Sequence, residues 1–95
     1  MKVEWDSRKA ESNLKKHKVS FEEAKMVFND LFHLSIPDEF NSDKEERWIT
    51  LGVAGKQSLV VTVSHTYREA DNENVIRIIS ARKATPKEKR FYSTR

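Results

Sequence analysis

Ninety-five residues are enough for one small domain with a single modest core. With 37% hydrophobic and 35% charged residues, a net charge of +3 and its apolar positions in periodic blocks, the chain reads as folded rather than disordered. The lack of cysteine excludes disulfide staples, thiolate metal sites and thiol nucleophiles; with no apolar run near ~18 residues and no signal-peptide core at the start, a cytoplasmic protein without membrane contact is expected.

Residues 2–5 alternate as a short strand with Val3 and Trp5 on one face. Asp6 stands where a helix N-cap belongs, since its carboxylate can accept the orphan N–H groups of the next turn. Ala10, Leu14 and His17 follow at i, i+4, i+7 and predict a narrow apolar stripe on a charged helix. Lys15, Lys16 and His17 close it, where cations suit the helix dipole. Ser20-Phe21-Glu22-Glu23 is a capping box, with Val19 placed to staple against Ala24. Phe21, Ala24, Phe28 and Leu31 form the apolar face of a second helix, so a helical hairpin is expected.

From residue 31 the period changes to two. Phe32, Leu34 and Ile36 share one side of a strand that Pro37 ends, and residues 38–44 read as a polar loop. Residues 47–53 form the next strand, with Ile49, Leu51 and Val53 predicted inward and Trp48 and Thr50 outward. After the turn Ala54-Gly55-Lys56-Gln57, residues 59–65 continue with Leu59, Val61 and Val63 inward. Residues 67–73 read as a charged connection and residues 75–81 as the last strand. Thr85-Pro86-Lys87-Glu88 starts a short basic helix by cap, first-turn proline and capping box. The order β-α-α-β-β-β-β-α predicts an α+β domain, an antiparallel sheet with helices packed on one face. Residues 82–95 hold six lysines and arginines against Glu88 alone, which leaves −2 for residues 1–81. Such an end faces a polyanion, nucleic acid above all, or is a solvated basic tail.

Several of these blocks resemble one family. Val3-Glu4-Trp5-Asp6, Asn13-Leu14-Lys15-Lys16-His17, Val19-Ser20-Phe21-Glu22-Glu23-Ala24 and Val27-Phe28 look like the opening of the BrnT toxins. Glu45-Glu46-Arg47-Trp48, the run from Ile76 to Thr85, and Glu88, Arg90 and Tyr92 look like its close. The Ile-Arg-Ile-Ile-Ser-Ala-Arg segment is the most specific, and Lys18 departs from the glycine usual in the family. The resemblance implies a RelE-like fold and a ribonuclease toxin of a type II toxin–antitoxin pair. It also implies a BrnA-like antitoxin that contacts operator DNA on behalf of the complex. Cleavage would need no metal or cofactor: the RNA 2′-OH attacks its own phosphate and leaves a cyclic phosphate. Whether RNA is cut free or on the ribosome stays open.

That chemistry asks for a base, an acid and cations to stabilise a phosphorane, the cations supplying the largest share. Arginine suits the last task because its planar fork binds two oxygens. Arg77 lies at opposite parity to Ile76 and Ile78, on the uncovered sheet face, as a phosphate holder or as a salt-bridged residue with Glu46 a possible partner. Arg82 and Lys83 sit where that strand exits, the place where RelE-like toxins often hold a phosphate. His65 closes a strand and offers acid–base chemistry or a structural hydrogen bond, and Glu46 is a candidate base. His17, His33 and His65 form no local metal motif. For RNA binding, Arg47, Trp48, Arg68, Lys83 and Tyr92 are the candidates, the aromatics by stacking on bases; Trp48 and Tyr92 can equally pack the sheet and last helix.

Two other functions fit parts of the pattern. The N-terminal helices mimic a helix-turn-helix, but Glu22 and Glu23 would meet phosphates where a recognition helix enters the groove. A non-catalytic module, or an inactive toxin, could use a sheet edge and the basic helix to bind an antitoxin or nucleic acid.

Overall fold

The computed structural model describes residues 1–41, 45–70 and 73–94, and the local signals for its helices act as expected. Asp6 accepts from the N–H groups of Arg8 and Lys9 and starts α1, Ser7–His17. Lys18 ends that helix in the left-handed region (φ 60°, ψ 25°), its N–H donating to the Leu14 carbonyl. Ser20 and Glu23 close the capping box of α2, Phe21–Met26, which tightens into a 3-10 turn over Val27–Asn29. Thr85 and Glu88 do the same for α3, Pro86–Ser93, with Pro86 in its first turn.

Five strands form one sheet: β1 Lys2–Trp5, β2 Leu34–Pro37, β3 Arg47–Ala54, β4 Leu59–Ala70 and β5 Glu73–Lys83, in the order β1-β5-β4-β3-β2. The sheet is mixed where an antiparallel one was expected, because β1 runs parallel to β5. α1 and α2 carry the chain from β1 at one edge to β2 at the other, so no hairpin fixes the direction of β1. Both helices rest on β5, with α2 also against β3 and β4, as expected for helices packed on the sheet.

The core lies between these helices and the sheet. Val19, Phe21, Ala24, Val27 and Phe28 meet Ala54, Val61, Val63, Ile76, Ile78 and Ala81, with Val3, Trp5 and Ala10 packed at the margin. Asn13 is buried beside it: its amide donates to the carbonyls of Val19 (3.0 Å) and Ala81 (2.8 Å) and accepts from the Ala81 N–H (3.1 Å). β1 stops opposite Ile78, so this side chain takes over the pairing of β5 where the neighbouring strand ends. The predicted stripe on α1 is corrected accordingly. Asn13 faces inward, and Leu14 is 47% exposed. Leu31 also leaves the core, at 93% exposed, because α2 turns 3-10 before reaching it.

Directly opposed residues share a face of a sheet. Trp48 with His65, Thr50 with Val63 and Gly52 with Val61 therefore face the core, while Ile49, Leu51 and Val53 face away. This reverses the expectation for β3. The far face is also covered, since α3 lies there through Glu88, which accepts from Thr62 and Arg82. With Leu51 buried on that side and Thr50 buried on the other, alternation has no polar face to report. Gly52 marks the core side: a Cβ there would lie 2.7 Å from Val27 Cγ1 and 2.9 Å from the Val27 carbonyl oxygen.

The expected charged connection of residues 67–73 is mostly strand. β4 and β5 continue as a long ribbon, pairing Tyr67 with Ile76, Arg68 with Val75 and Glu69 with Asn74. A shift of register opposite Ser64 and His65 makes Ile79 an extra residue in β5. Residues 42–44, 71–72 and 95, which the expected loops and basic end include, lie outside the described residues.

Candidate active site

The sheet face turned away from α1 and α2 gathers arginines from three strands. Glu4 of β1, Arg77 of β5, Thr66 of β4 and Arg47 of β3 form one row across the sheet, each opposite the next. Lys2, Val75 and Arg68 form the neighbouring row. Arg82, opposite Thr62, stands further along the same face under the start of α3.

Carboxylates hold these guanidiniums in place. Arg77 donates to Glu4 Oε2 at 2.8 Å, and Arg68 donates to Glu4 Oε1 at 2.7 Å. The two hydrogen bonds keep Glu4 ionised by lowering its pKa. Arg82 forks onto Glu88 with bonds of 2.7 and 3.0 Å, and the paired carboxylate raises the pKa of the guanidinium. For Glu88, burial acts to raise the pKa. The hydrogen bonds from Arg82, the Thr85 N–H and Thr62 outweigh it and bring the group down to about 2. Arg77 and Arg82 nonetheless keep side chains two-fifths exposed. Arg77 commits one of its five N–H donors to Glu4, which leaves others for an anion above the sheet. The arrangement is a pre-oriented polycationic surface floored by Thr66, suited to a phosphate chain.

Residues 5–88 match the model of the BrnT toxin family, described as the ribonuclease toxin, BrnT, of a type II toxin–antitoxin system. The chain belongs to the BrnT family. Membership brings an RNA substrate and an antitoxin partner. No curated protein matches the chain. No helix among the described residues is long and apolar enough to cross a membrane.

Within this BrnT chain the other expected site residues divide. Arg47 and Arg68 share the face of Arg77. Glu46 is exposed one residue before β3. His65, expected to serve acid–base chemistry, is corrected: it is 0% exposed on the core side. Its Nε2 lies 2.6 Å from Thr50 Oγ1, which lies 2.7 Å from Ser35 Oγ. Its ring sits edge-on to Phe28 and Tyr67 at 4.9 Å from each, and burial pushes its pKa down to about 4. The imidazole is neutral at pH 7 and sealed beneath an aromatic layer, on the sheet face opposite Arg77. Trp48 is corrected likewise, since it faces the core side and packs edge-on against Tyr67 at 5.6 Å. Lys83, opposite Val61, lines a cavity on the α2 side with Glu23 and Met26 instead of joining Arg82. Tyr92 is half-buried and its hydroxyl donates to Asp30, so it docks α3 rather than presenting its ring as a platform.

Glu4 and Glu88 are the residues of this candidate site that sequence reasoning missed. Glu4 had a legible signal, its parity opposite to Val3 and Trp5, but its arginine partners lie more than sixty residues away. Glu88 was read as a cap, which it is; the same carboxylate also reaches Arg82 and Thr62. Among the described residues no group of three or more histidine or acidic side chains could hold a metal ion.

Proposed function

We propose that the chain is a RelE-like, metal-independent endoribonuclease that uses the arginine face to cleave RNA by attack of the 2′-OH on the adjacent phosphate. The observation that carries this reading is the placement of Arg47, Arg68, Arg77 and Arg82 on one sheet face, three of them held by the carboxylates of Glu4 and Glu88. Arg77 and Arg82 stabilise the phosphorane, and Arg47 and Arg68 hold flanking phosphates. Glu4 and Glu88 fix the guanidiniums, so little reorganisation is needed as charge develops. Glu46, exposed beside Arg47, is the candidate base for the 2′-OH. The partner that restrains the enzyme is a BrnA-like antitoxin, through which operator DNA is contacted.

The test is cleavage of single-stranded RNA by antitoxin-free protein in EDTA, with a matched DNA strand as control and ribosome-bound RNA as a separate arm. RNA-only cleavage leaving a cyclic phosphate is expected. Arg77→Ala and Arg82→Ala should each lose about 10²-fold or more while staying folded. Intact RNA in both arms with folded wild-type protein, or full activity in either variant, overturns the assignment.

A further inference from the structure

At one end the core opens. Val19, Ala54 and Val61, three of its buried members, floor a cavity of about 730 Å³ between the α1–α2 junction, α2 and the turn joining β3 to β4. Met26, 48% exposed, and Leu59, 37% exposed, wall it. Its volume is that of sites which enclose apolar groups, roughly 300–1,000 Å³. Lys18, Lys56 and Lys83, all exposed, line its rim, and among the described residues no ion pair engages them. Glu23, the one carboxylate among the described lining residues, is committed to Ser20, accepting from its N–H and hydroxyl. Lys18 brings its ammonium there from the left-handed region (φ 60°), which glycine would adopt without steric cost. The cavity lies on the helix side of the sheet, opposite the arginine face.

We propose that this groove seats an acidic amphipathic helix of the antitoxin. Its apolar stripe packs on Met26, Leu59 and the floor, and its carboxylates meet Lys18, Lys56 and Lys83. The partner's identity rests on the antitoxin of the preceding section; the nuclease chemistry is not used. Charge selects the occupant: three unpaired cations around an apolar floor match carboxylates flanking an apolar stripe. Hydrogen bonding selects its form. An added strand needs free main-chain groups, but around the groove Lys18 N–H donates to Leu14, Ser58 N–H to Gly55 and Ala84 N–H to Val60. Recognition therefore falls to side chains, as it does for a helix laid in a groove. RNA fits less well, because no aromatic side chain among the described residues lines the cavity for a base to stack on. A second copy also fits less well. α1 carries four lysines and arginines against Glu11, and α3 three against Glu88, while α2 is packed on the core through Phe21 and Ala24.

The test uses the full chain with the antitoxin encoded beside it. The Met26 and Leu59 methyl signals are expected to shift when the antitoxin is added. The double variant Lys18→Glu with Lys56→Glu, and separately Met26→Lys, should each bind it roughly thirtyfold more weakly, with circular dichroism and RNA cleavage unchanged. Wild-type affinity should fall as salt rises, and less steeply in the double variant. Unmoved methyl signals, wild-type affinity in either variant, salt-independent binding, or no complex with the wild-type chain overturns the proposal. So does a wild-type homodimer that the double variant breaks, or RNA cleavage that it abolishes, while antitoxin affinity holds. Because binding is read without substrate, failure of RNA cleavage in the wild type alone would sink the nuclease reading and not this one.

Discussion

Glu88 ties α3 to the sheet, and its charge can be removed with little change of shape. Glu88→Gln keeps the side chain and its ability to close a capping box with Thr85, but it leaves Arg82 without an anionic partner. The fall of the Glu88 pKa from an ordinary 4.5 to about 2 caps the contribution of the ionised form at roughly 3 kcal/mol, at 1.36 kcal/mol per tenfold. Arg82 is two-fifths exposed and Glu88 a quarter exposed, so solvent screening reduces the expected loss to about 1–2 kcal/mol. The pKa is depressed in the folded state, so the contribution is complete above about 4.5 and is lost as pH falls toward 2. Urea unfolding of both proteins, from neutral pH downward in steps, should show a gap that is constant to about pH 4.5 and then closes. The contribution of His65 is common to both and cancels. A gap that stays constant to the lowest pH, or that is absent at neutrality, refutes the argument.

Burial lowers the pKa of His65 from 6.5 to about 4, so the folded state loses stability as pH falls through that window, by up to roughly 3 kcal/mol. His65→Gln should flatten that slope in pH-dependent unfolding and leave cleavage per folded molecule intact; a lost cleavage activity in a fully folded variant would restore a catalytic role. Asn13→Ala strands the carbonyls of Val19 and Ala81 and the Ala81 N–H, and urea unfolding should register a loss of about 2–3 kcal/mol. Lys18→Gly removes a side chain from the left-handed backbone region and should raise the thermal midpoint, by about 0.5–1 kcal/mol in stability; a lower midpoint would mean that the lysine side chain itself contributes.

The helix starts were legible because Asp6, Ser20 and Thr85 act on backbone groups within three residues. The parity of β4 was legible as well, since Val61 and Val63 meet a continuous apolar core. β3 was not. Its Thr50 is buried against His65 and Ser35 while Leu51 is buried on the other side, so polarity no longer tracks direction. The length of the ribbon was hidden for a related reason. Arg68 and Glu69 look like loop residues, yet both lie in β4, and Arg68 is matched to a carboxylate on a strand sixty-four positions away. At the site, parity alone placed Arg77 on the correct face. The partners of the arginines, and the burial of His65, depend on contacts between distant segments that no local pattern encodes.

Arg77 and Arg82 are separated by an odd number of positions, and in a regular strand an odd step turns two side chains to opposite faces. They share a face because β5 carries Ile79 as a supernumerary residue, which resets the alternation between them. Their opposite numbers, Thr66 and Thr62, are an even step apart on β4, so the arginine backbones stand roughly 13 Å apart along one face. Were Ile79 drawn into regular pairing instead of bulging, every charge in the protein would be preserved and the pair would still be divided between the two surfaces. An odd gap between two arginines in the final strand is thus the one-dimensional trace of this geometry, and it can be looked for in a sequence before any coordinates exist.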